Sequence, residues 1–404
     1  MSCPILRGIR VLDLTQALAG PHCTQLLGDF GADIIKIERP GAGDQARGWG
    51  PPFQNGESSY FLGTNRNKRS LTLDLKQEPA REVLDRLLET ADVLIHNIPK
   101  AAARKALGID AESVIARNPR IVWVAITGFG LSGPEAEKPG YDVVAQAMSG
   151  TMALTGEPGT PPIRFPTPMA DITTGTYAAT AILAALYERQ TSGKGQVIDL
   201  ALLDCQATWL ANVASAFLAT GEPPRKRGNA HPNIAPYQPF RAADGWFILA
   251  AGTETQWQRL LRLLDQLYPG SQAELGAPDG PFADNAARVA AREDLERRLC
   301  SYFERRSVAD WITQLEAAGV PCGPIHRPEE TLQHPHLLAR GMIAAMDHPA
   351  AGRVRALGNP MQLDRTPPAL DRAAPMLGEH TVSILSELGY SGREIQALRR
   401  TAAA

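Results

Sequence analysis

The chain has 404 residues, enough for two domains and a sizeable core, and its 44% hydrophobic and 21% charged residues are ordinary for a globular protein. A formal net charge of -2 gives no electrostatic case for nucleic acid or an anionic membrane as partner, and neither is expected. The first ten residues lack the long apolar core of a secretory signal, and no later stretch approaches roughly 18 uninterrupted apolar residues, so the expected location is cytoplasmic.

Residues 9–14 read as a short apolar strand, 21–30 as a helix and 32–38 as a second strand. Such a βαβ unit predicts a parallel α/β sheet. A unit ending in an acidic residue invites a dinucleotide, which needs G-x-G-x-x-G in the first turn. The turn here is Ala17-Leu-Ala-Gly-Pro21, so NAD is not expected. Residues 39–49 and 60–76 are glycine-rich and irregular, with Arg39, Arg47, Arg66, Lys68, Arg69 and Lys76 among aromatics. Two readings stay open for these cations: a loop that holds a polyanion, or a solvated basic loop. Residues 78–90 form an amphipathic helix, and strands at 91–96 and 121–126 continue the alternation. The loop Gly128-Phe-Gly-Leu-Ser-Gly-Pro134 follows at a strand's carboxyl end, where open parallel sheets take ligands. Tyr141-Asp-Val-Val-Ala-Gln146 then opens another helix.

The Pro-rich run 161–168 leads to Asp171, placed just before a helix of small and aliphatic residues from Thr176. Asp171 has two readings. It is an N-cap that takes an orphan backbone N–H, or a nucleophilic carboxylate kept ionised by the positive helix end, with Gly175 leaving room for a substrate. Position alone does not separate them.

A turn and strand at 193–200 and a long apolar helix at 203–219 precede a composition shift. The predicted organisation is a large domain over 1–220, a polar Pro-rich linker at 221–227, a small α+β domain over 228–325 and a C-terminal segment, 326–404, returning to the large domain. Within the small domain a hairpin-like pair at 238–251 and helices at 255–267, 285–304 and 307–318 are expected. A helix near 328–338 and a hairpin-like segment at 342–357 follow. Five cysteines, Cys3, Cys23, Cys205, Cys300 and Cys322, form no C-x-x-C pair, and an odd count argues against a disulfide framework. His334 and His336 lack an acidic or thiol partner at ligand spacing, so no metal site is expected.

Leu18-Ala-Gly-Pro21, Gly31-Ala-Asp-Ile-Ile-Lys-Ile-Glu-Arg-Pro40, Asn67-Lys-Arg-Ser-Leu-Thr-Leu-Asp74, Gly140-Tyr-Asp142, Ala170-Asp-Ile-Thr-Thr-Gly175, Gly228-Asn-Ala-His-Pro-Asn-Ile-Ala-Pro-Tyr-Gln238, Gly319-Val-Pro-Cys-Gly-Pro324 and Leu377-Gly-Glu-His-Thr381 come in one order. In them the chain resembles, nearly end to end, the class III coenzyme A transferases. The resemblance implies a Rossmann-like large domain built from both chain ends, a smaller central domain, and a homodimer of two chains threaded through each other as interlocked rings. It implies acyl-CoA and a carboxylic acid as substrates, and neither metal nor NAD as cofactor. It makes Asp171 the nucleophile, with a mixed anhydride and then an aspartyl-CoA thioester as intermediates.

The same resemblance places Tyr141 and Leu18 in the active site. It assigns Arg39, Leu73, Lys76, Asn97 and either Arg104 or Lys105 to CoA, with Lys138 close to a further family lysine but out of register. Oxalate-specific members have Gln where this chain has Leu18, and a run of glycines where it has the short segment 228–238, so oxalate is disfavoured. The Gly-Asn-Ala-His-Pro form of that segment is similar to transferases that move CoA from succinyl-CoA to glutarate, itaconate or citramalate. His231, Arg164 and Arg47 are candidates for the remote carboxylate of such an acid, or else a loop histidine and two solvated arginines. The alternative is an α-methylacyl-CoA racemase, which shares the fold and the Asp. Its His base stands where this chain has Tyr141, and a neutral tyrosine is a poor base at pH 7. A CoA-binding protein without catalysis is a third reading, against which the intact Asp171 argues.

Overall fold

The computed structural model describes residues 3–401, 403 and 404, which form two compact units. One comprises the residues up to Met152, Arg164–Ala219 and the chain from Pro335 onward; the other comprises Ala153–Ile163 and Thr220–His334.

In the first unit, β1 (Arg10–Leu14), β2 (Asp33–Glu38), β3 (Lys68–Thr72), β4 (Val93–His96), β5 (Val122–Thr127) and β6 (Val197–Ala201) form one parallel sheet. Their spatial order is β3-β2-β1-β4-β5-β6. The winding reverses between β1 and β4, and an open sheet leaves a crevice beyond the carboxyl ends of strands at such a point. Residues 60–76, irregular in the sequence reading, contain the helix Ser59–Thr64 and the edge strand β3. The first helix, α1 (Ala19–Asp29), starts two residues earlier than its pattern predicts. Pro21 lies in its first turn, where a missing N–H leaves nothing unpaired. The sheet is sandwiched. Val11 and Ile34 pack with α1 and with α4 (Met169–Ser192) on one face. Leu12, Ile35 and Leu71 pack on the other with the amphipathic helix Glu78–Thr90 and the C-terminal helices Thr381–Glu387 and Gly392–Arg400.

The period of two along these strands also buries charge. Towards α1 point Asp13, Lys36, Glu38 and Lys68, each 4% exposed or less. They are paired throughout. Lys68 Nζ donates to Asp13 Oδ2 at 3.2 Å, Lys36 Nζ lies 2.9 Å from Asp44 Oδ2, and Arg47 grips both oxygens of Glu38 at 2.8 Å. Burial pushes the Asp13 carboxyl up, but Lys68, Lys36 and two threonine hydroxyls together hold it below the ordinary carboxylate range.

In the second unit a three-stranded antiparallel sheet, Cys322–Pro324, Trp246–Ala250 and Tyr237–Arg241, packs with helices Glu254–Leu267, Arg292–Phe303 and Val308–Ala317 around Phe247, Trp257, Phe303 and Trp311. The single helices expected at 203–219 and 285–304 are each broken, the first at Ala211, where φ is 38°, the second at Ala291. The helix near 328–338 is likewise two short ones, Pro328–Thr331 and Pro335–Ala339, parted ahead of a proline. Among the described residues no helix is long and apolar enough to cross a membrane.

Candidate active site

The turn from β1 into α1 is held at almost every polar backbone atom by a side chain from elsewhere. Asp13 Oδ1 accepts from the Thr15 N–H and hydroxyl, and Lys36 Nζ donates to the Thr15 carbonyl at 2.8 Å. Asn97, just past β4, accepts from Gln16 N–H at 3.2 Å and donates to the Gln16 carbonyl at 2.9 Å. Asp44 Oδ1 accepts from the N–H of Ala17, a residue at φ 69°. This lattice fixes one wall of a cavity of about 770 Å³ lined by Leu18, Trp49, Tyr60, Asn97, Tyr141 and Asp171, among others. The cavity lies within the first unit. Its volume suits a drug-sized ligand.

The helix that carries Asp171 begins at Met169, not after it, so Asp171 stands inside the first turn of α4 and not at its N-cap. The capping is done from another element. Asp142, the first residue of α3 (Asp142–Met148), accepts from the Ala170 N–H through Oδ1 at 2.8 Å. Its Oδ2 accepts from Gln146 Nε2 at 2.7 Å. Gln146 in turn accepts from the Phe165 N–H at 2.8 Å and so ties the Pro-rich run to the same cluster. One of the two sequence readings had the positive helix end keeping Asp171 ionised; burial, then the neighbouring Asp142 charge, instead push its carboxyl up to about 7. Burial and the charges of Asp171, Asp142 and Asp44 push the Tyr60 phenol up to about 12, so it remains a neutral hydroxyl at this site.

Gly175 has a different job from the one its position implied. A Cβ there would meet the Ala19 carbonyl oxygen at 2.5 Å, so the missing side chain lets α4 close on α1 and leaves no room for a substrate. Gly128 and Gly140 do touch the cavity. A Cβ on Gly128 would stand 2.6 Å from the Gly140 Cα, so two backbone segments cross there in contact.

Of the residues singled out from the sequence, Asp171, Leu18, Tyr141, Asn97 and Arg164 line the cavity together. Leu18 is buried at the start of α1, and Tyr141 is 59% exposed at the start of α3. Arg39, Lys76 and Lys105 are exposed in the same unit, outside the cavity lining. Lys138, also outside it, pairs with Glu135. Arg104 is buried and donates to the Ile98 and Pro99 carbonyls, and the Leu73 side chain is in the core, so neither offers a free side chain to a ligand. The polyanion reading of residues 39–76 shrinks likewise. Arg47, Arg66, Lys68 and Arg69 are paired with Glu38, Asp29, Asp13 and Asp33. His231 belongs to the second unit, where its Nδ1 accepts from the Asn233 N–H and its ring packs on Tyr237. The sequence reading missed Asp142, Trp49 and Tyr60. For Asp142 a signal was present, since it adjoins Tyr141 in a quoted motif, but its capping target lies 28 residues on. Among the described residues no group of three His, Cys, Asp or Glu is arranged to hold a metal ion.

The sequence model of CoA-transferase family III matches residues 6–381. The chain is 41% identical to a succinate–glutarate CoA-transferase of Agrobacterium fabrum, over 95% of this chain and 96% of that protein. It is 37% identical to the human succinyl-CoA:glutarate CoA-transferase, over 97% of this chain and 88% of the relative. A solved structure of a CAIB/BAIF family protein from Brucella suis superposes with a TM-score of 0.84 at 42% identity, covering 96% of this chain and all of that one (100%).

Proposed function

Because the chain belongs to CoA-transferase family III, we propose that it moves coenzyme A from succinyl-CoA to a second dicarboxylic acid, such as glutarate, itaconate or citramalate, with Asp171 as the nucleophile. The observation that carries this reading is the placement of Asp171, a part-buried carboxylate in the first turn of α4 on the wall of a large cavity at the carboxyl edge of the sheet. In the proposed course the Asp171 carboxylate adds to the thioester carbonyl and CoA thiolate leaves, giving an aspartyl–succinyl anhydride. The thiolate then attacks the aspartyl carbonyl, succinate departs, and an aspartyl-CoA thioester remains. The acceptor carboxylate attacks that thioester and re-forms an anhydride. The thiolate finally takes the acceptor's acyl carbon and frees Asp171. Acyl activation passes from thioester to anhydride to thioester, and no step requires ATP. Tyr60 O–H, on the cavity wall, supplies a donor for the oxyanions.

Arg39, Lys76, Lys105 and Lys138 are the exposed cations proposed to meet the CoA phosphates, with Asn97 acting through the Gln16 turn that it holds. A homodimer, interlocked as in the family, is part of the same reading. Its support is the helix Ala211–Thr220, none of whose residues is buried although it carries Phe217 and Leu218, the latter 82% exposed. Sedimentation at twice the chain mass is expected, and a monomer at micromolar concentration would remove the dimer.

Purified protein with succinyl-CoA and a panel of acids, read by mass spectrometry, is expected to yield a new dicarboxyl-CoA thioester. No exchange with any acid, together with deuterium uptake from heavy water into a branched acyl-CoA, would overturn the reading. Attack needs ionised Asp171, whose carboxyl sits near 7, so kcat/KM is expected to rise with pH up to about 7 and level off above it. Asp142→Asn removes the second cause of that shift and is expected to move the rising limb to lower pH. An unmoved limb would mean that another group controls it.

A further inference from the structure

Among the described residues three charged side chains line the cavity: Asp142, Asp171 and Arg164. Asp142 is occupied by the Ala170 N–H and Gln146, and Asp171 is the proposed nucleophile. Arg164 is the only cation among the described lining residues, and no hydrogen bond or ion pair holds its guanidinium. Its neighbour is fixed. The Phe165 N–H is bonded to Gln146, a side chain 1% exposed, whose amide also donates to Asp142 at 2.7 Å. One buried pair therefore ties together the backbone beside Arg164 and the helix start that carries Asp171.

A dicarboxylate brings two charges into this cavity. The reacting carboxyl is consumed as thioester or anhydride, but the remote one stays ionised, and Asp142, together with Asp171 whenever it is free and ionised, repels it. It needs a cation within the cavity. Arg47, one of the other candidates, is excluded because its Nε and one arm grip Glu38, its other arm donates to the Pro375 carbonyl, and its guanidinium lies 3.7 Å from the centre of the Phe61 ring. Lys138 is paired with Glu135 and outside the lining. His231 is held within the second unit by its own contacts.

We propose that Arg164 is the receptor for the remote carboxylate, and that one such subsite serves donor and acceptor in turn. With Asp171 as nucleophile and Arg164 the only cation among the described lining residues, the succinyl group sits with its carbonyl at Asp171 and its far carboxylate on Arg164. The departing succinate then vacates the same place for the incoming acid. Succinate and the acceptor are therefore competitors for one subsite, and a planar guanidinium suits both because it takes a carboxylate in a two-pronged grip.

The inference rests on the dicarboxylate reading above, and its test keeps the two apart. Wild type, Arg164→Gln and Arg164→Lys are assayed with succinyl-CoA and, as acceptors, glutarate and its monoamide, which keeps the length but loses the far charge. Affinity for free CoA is measured separately by calorimetry. Wild type is expected to prefer the diacid. Arg164→Gln is expected to lower kcat/KM for glutarate and for succinyl-CoA by about 10- to 100-fold, with the preference over the monoamide gone and CoA affinity kept. Arg164→Lys should retain part of the preference. Equal losses on glutarate and monoamide, a parallel loss of CoA affinity, or no loss at all would overturn the assignment. Transfer by wild type to no dicarboxylate would instead sink the reading beneath it, and the assignment with it.

Discussion

Asp171→Asn is expected to abolish CoA transfer, lowering kcat by at least about a thousandfold, while CoA still binds. The amide matches the carboxylate in size, so cavity and helix remain, but it is no nucleophile towards a thioester. The aspartyl-CoA adduct on the peptide that contains residue 171 should vanish from the mass spectrum together with turnover. Wild-type turnover by the variant would remove the covalent mechanism. The same change is expected to stabilise the free enzyme, and the sign follows from the direction of the shift. The Asp171 carboxyl is pushed up to about 7 in the fold by burial and by Asp142, against about 3.9 in an unfolded chain. Below about pH 4 it is protonated in both states and costs nothing. Between about pH 4 and 7 the unfolded chain has already released the proton that the folded state still holds, so stability is lost progressively across that window and the loss is complete above about 7. Asparagine removes that loss. The gain at pH 8 should be on the order of 2 kcal/mol after discounting for partial exposure, and should disappear near pH 4. A carboxylate that destabilises its own fold is what a functional site often carries.

The parts of this molecule that could be read from the sequence are those decided by local pattern. The βαβ alternation of residues 9–38 and the strands near 91–96 and 121–126 follow from apolar runs of strand length between helical periods, and they stand in the sheet as β1, β2, β4 and β5. Strand β3 was hidden because Lys68-Arg-Ser-Leu-Thr72 looks like a polar loop. Its inward positions are filled by Lys68 and Ser70, which are buried only because Asp13, Asn65 and Glu38 meet them. The same kind of long-range pairing removed Arg66 and Arg69 from the list of free cations, while Glu38, only 9 positions away, removed Arg47. A cation in a loop and a cation in a buried ion pair have one sequence signature, and the partner 30 or more residues away decides between them. Asp171 was legible as a carboxylate near a helix start. Its protonation was not, because the shift comes from burial and from a second carboxylate on another helix. Asn97 shows the same limit, since both ends of its amide act on Gln16, 81 positions earlier.

Lys68→Met should cost about 3–5 kcal/mol, the largest stability loss among single changes outside the apolar cores. Methionine fills much of the same space, so the loss is electrostatic. Asp13 loses the ammonium 3.2 Å away, and the Pro21 carbonyl and Asn65 Oδ1 lose their donor at 3.0 and 2.8 Å. Asp13 has other contacts, from the Thr15 and Thr24 hydroxyls, but with Lys68 gone only Lys36 remains to offset its charge in a site with no solvent access. The consequence reaches the cavity because Asp13 and Lys36 hold both backbone polar groups of Thr15, at the root of the Gln16–Leu18 turn. Below its melting point the variant is therefore expected to bind CoA more weakly as well, although Lys68 does not line the cavity. A second substitution separates charge from packing. Asp13→Asn in the Lys68→Met background removes the stranded carboxylate and should restore a good part of the loss, whereas Asp13→Asn alone leaves Lys68 without its counter-ion and should destabilise. The double-mutant cycle thus has a coupling of the same sign and size as the pair. Additive losses, or a cost under about 1 kcal/mol for Lys68→Met, would show that the buried charges contribute no more than a surface pair does. The wall of the active site would then have to be held by its hydrogen bonds to Asn97 and Asp44 alone.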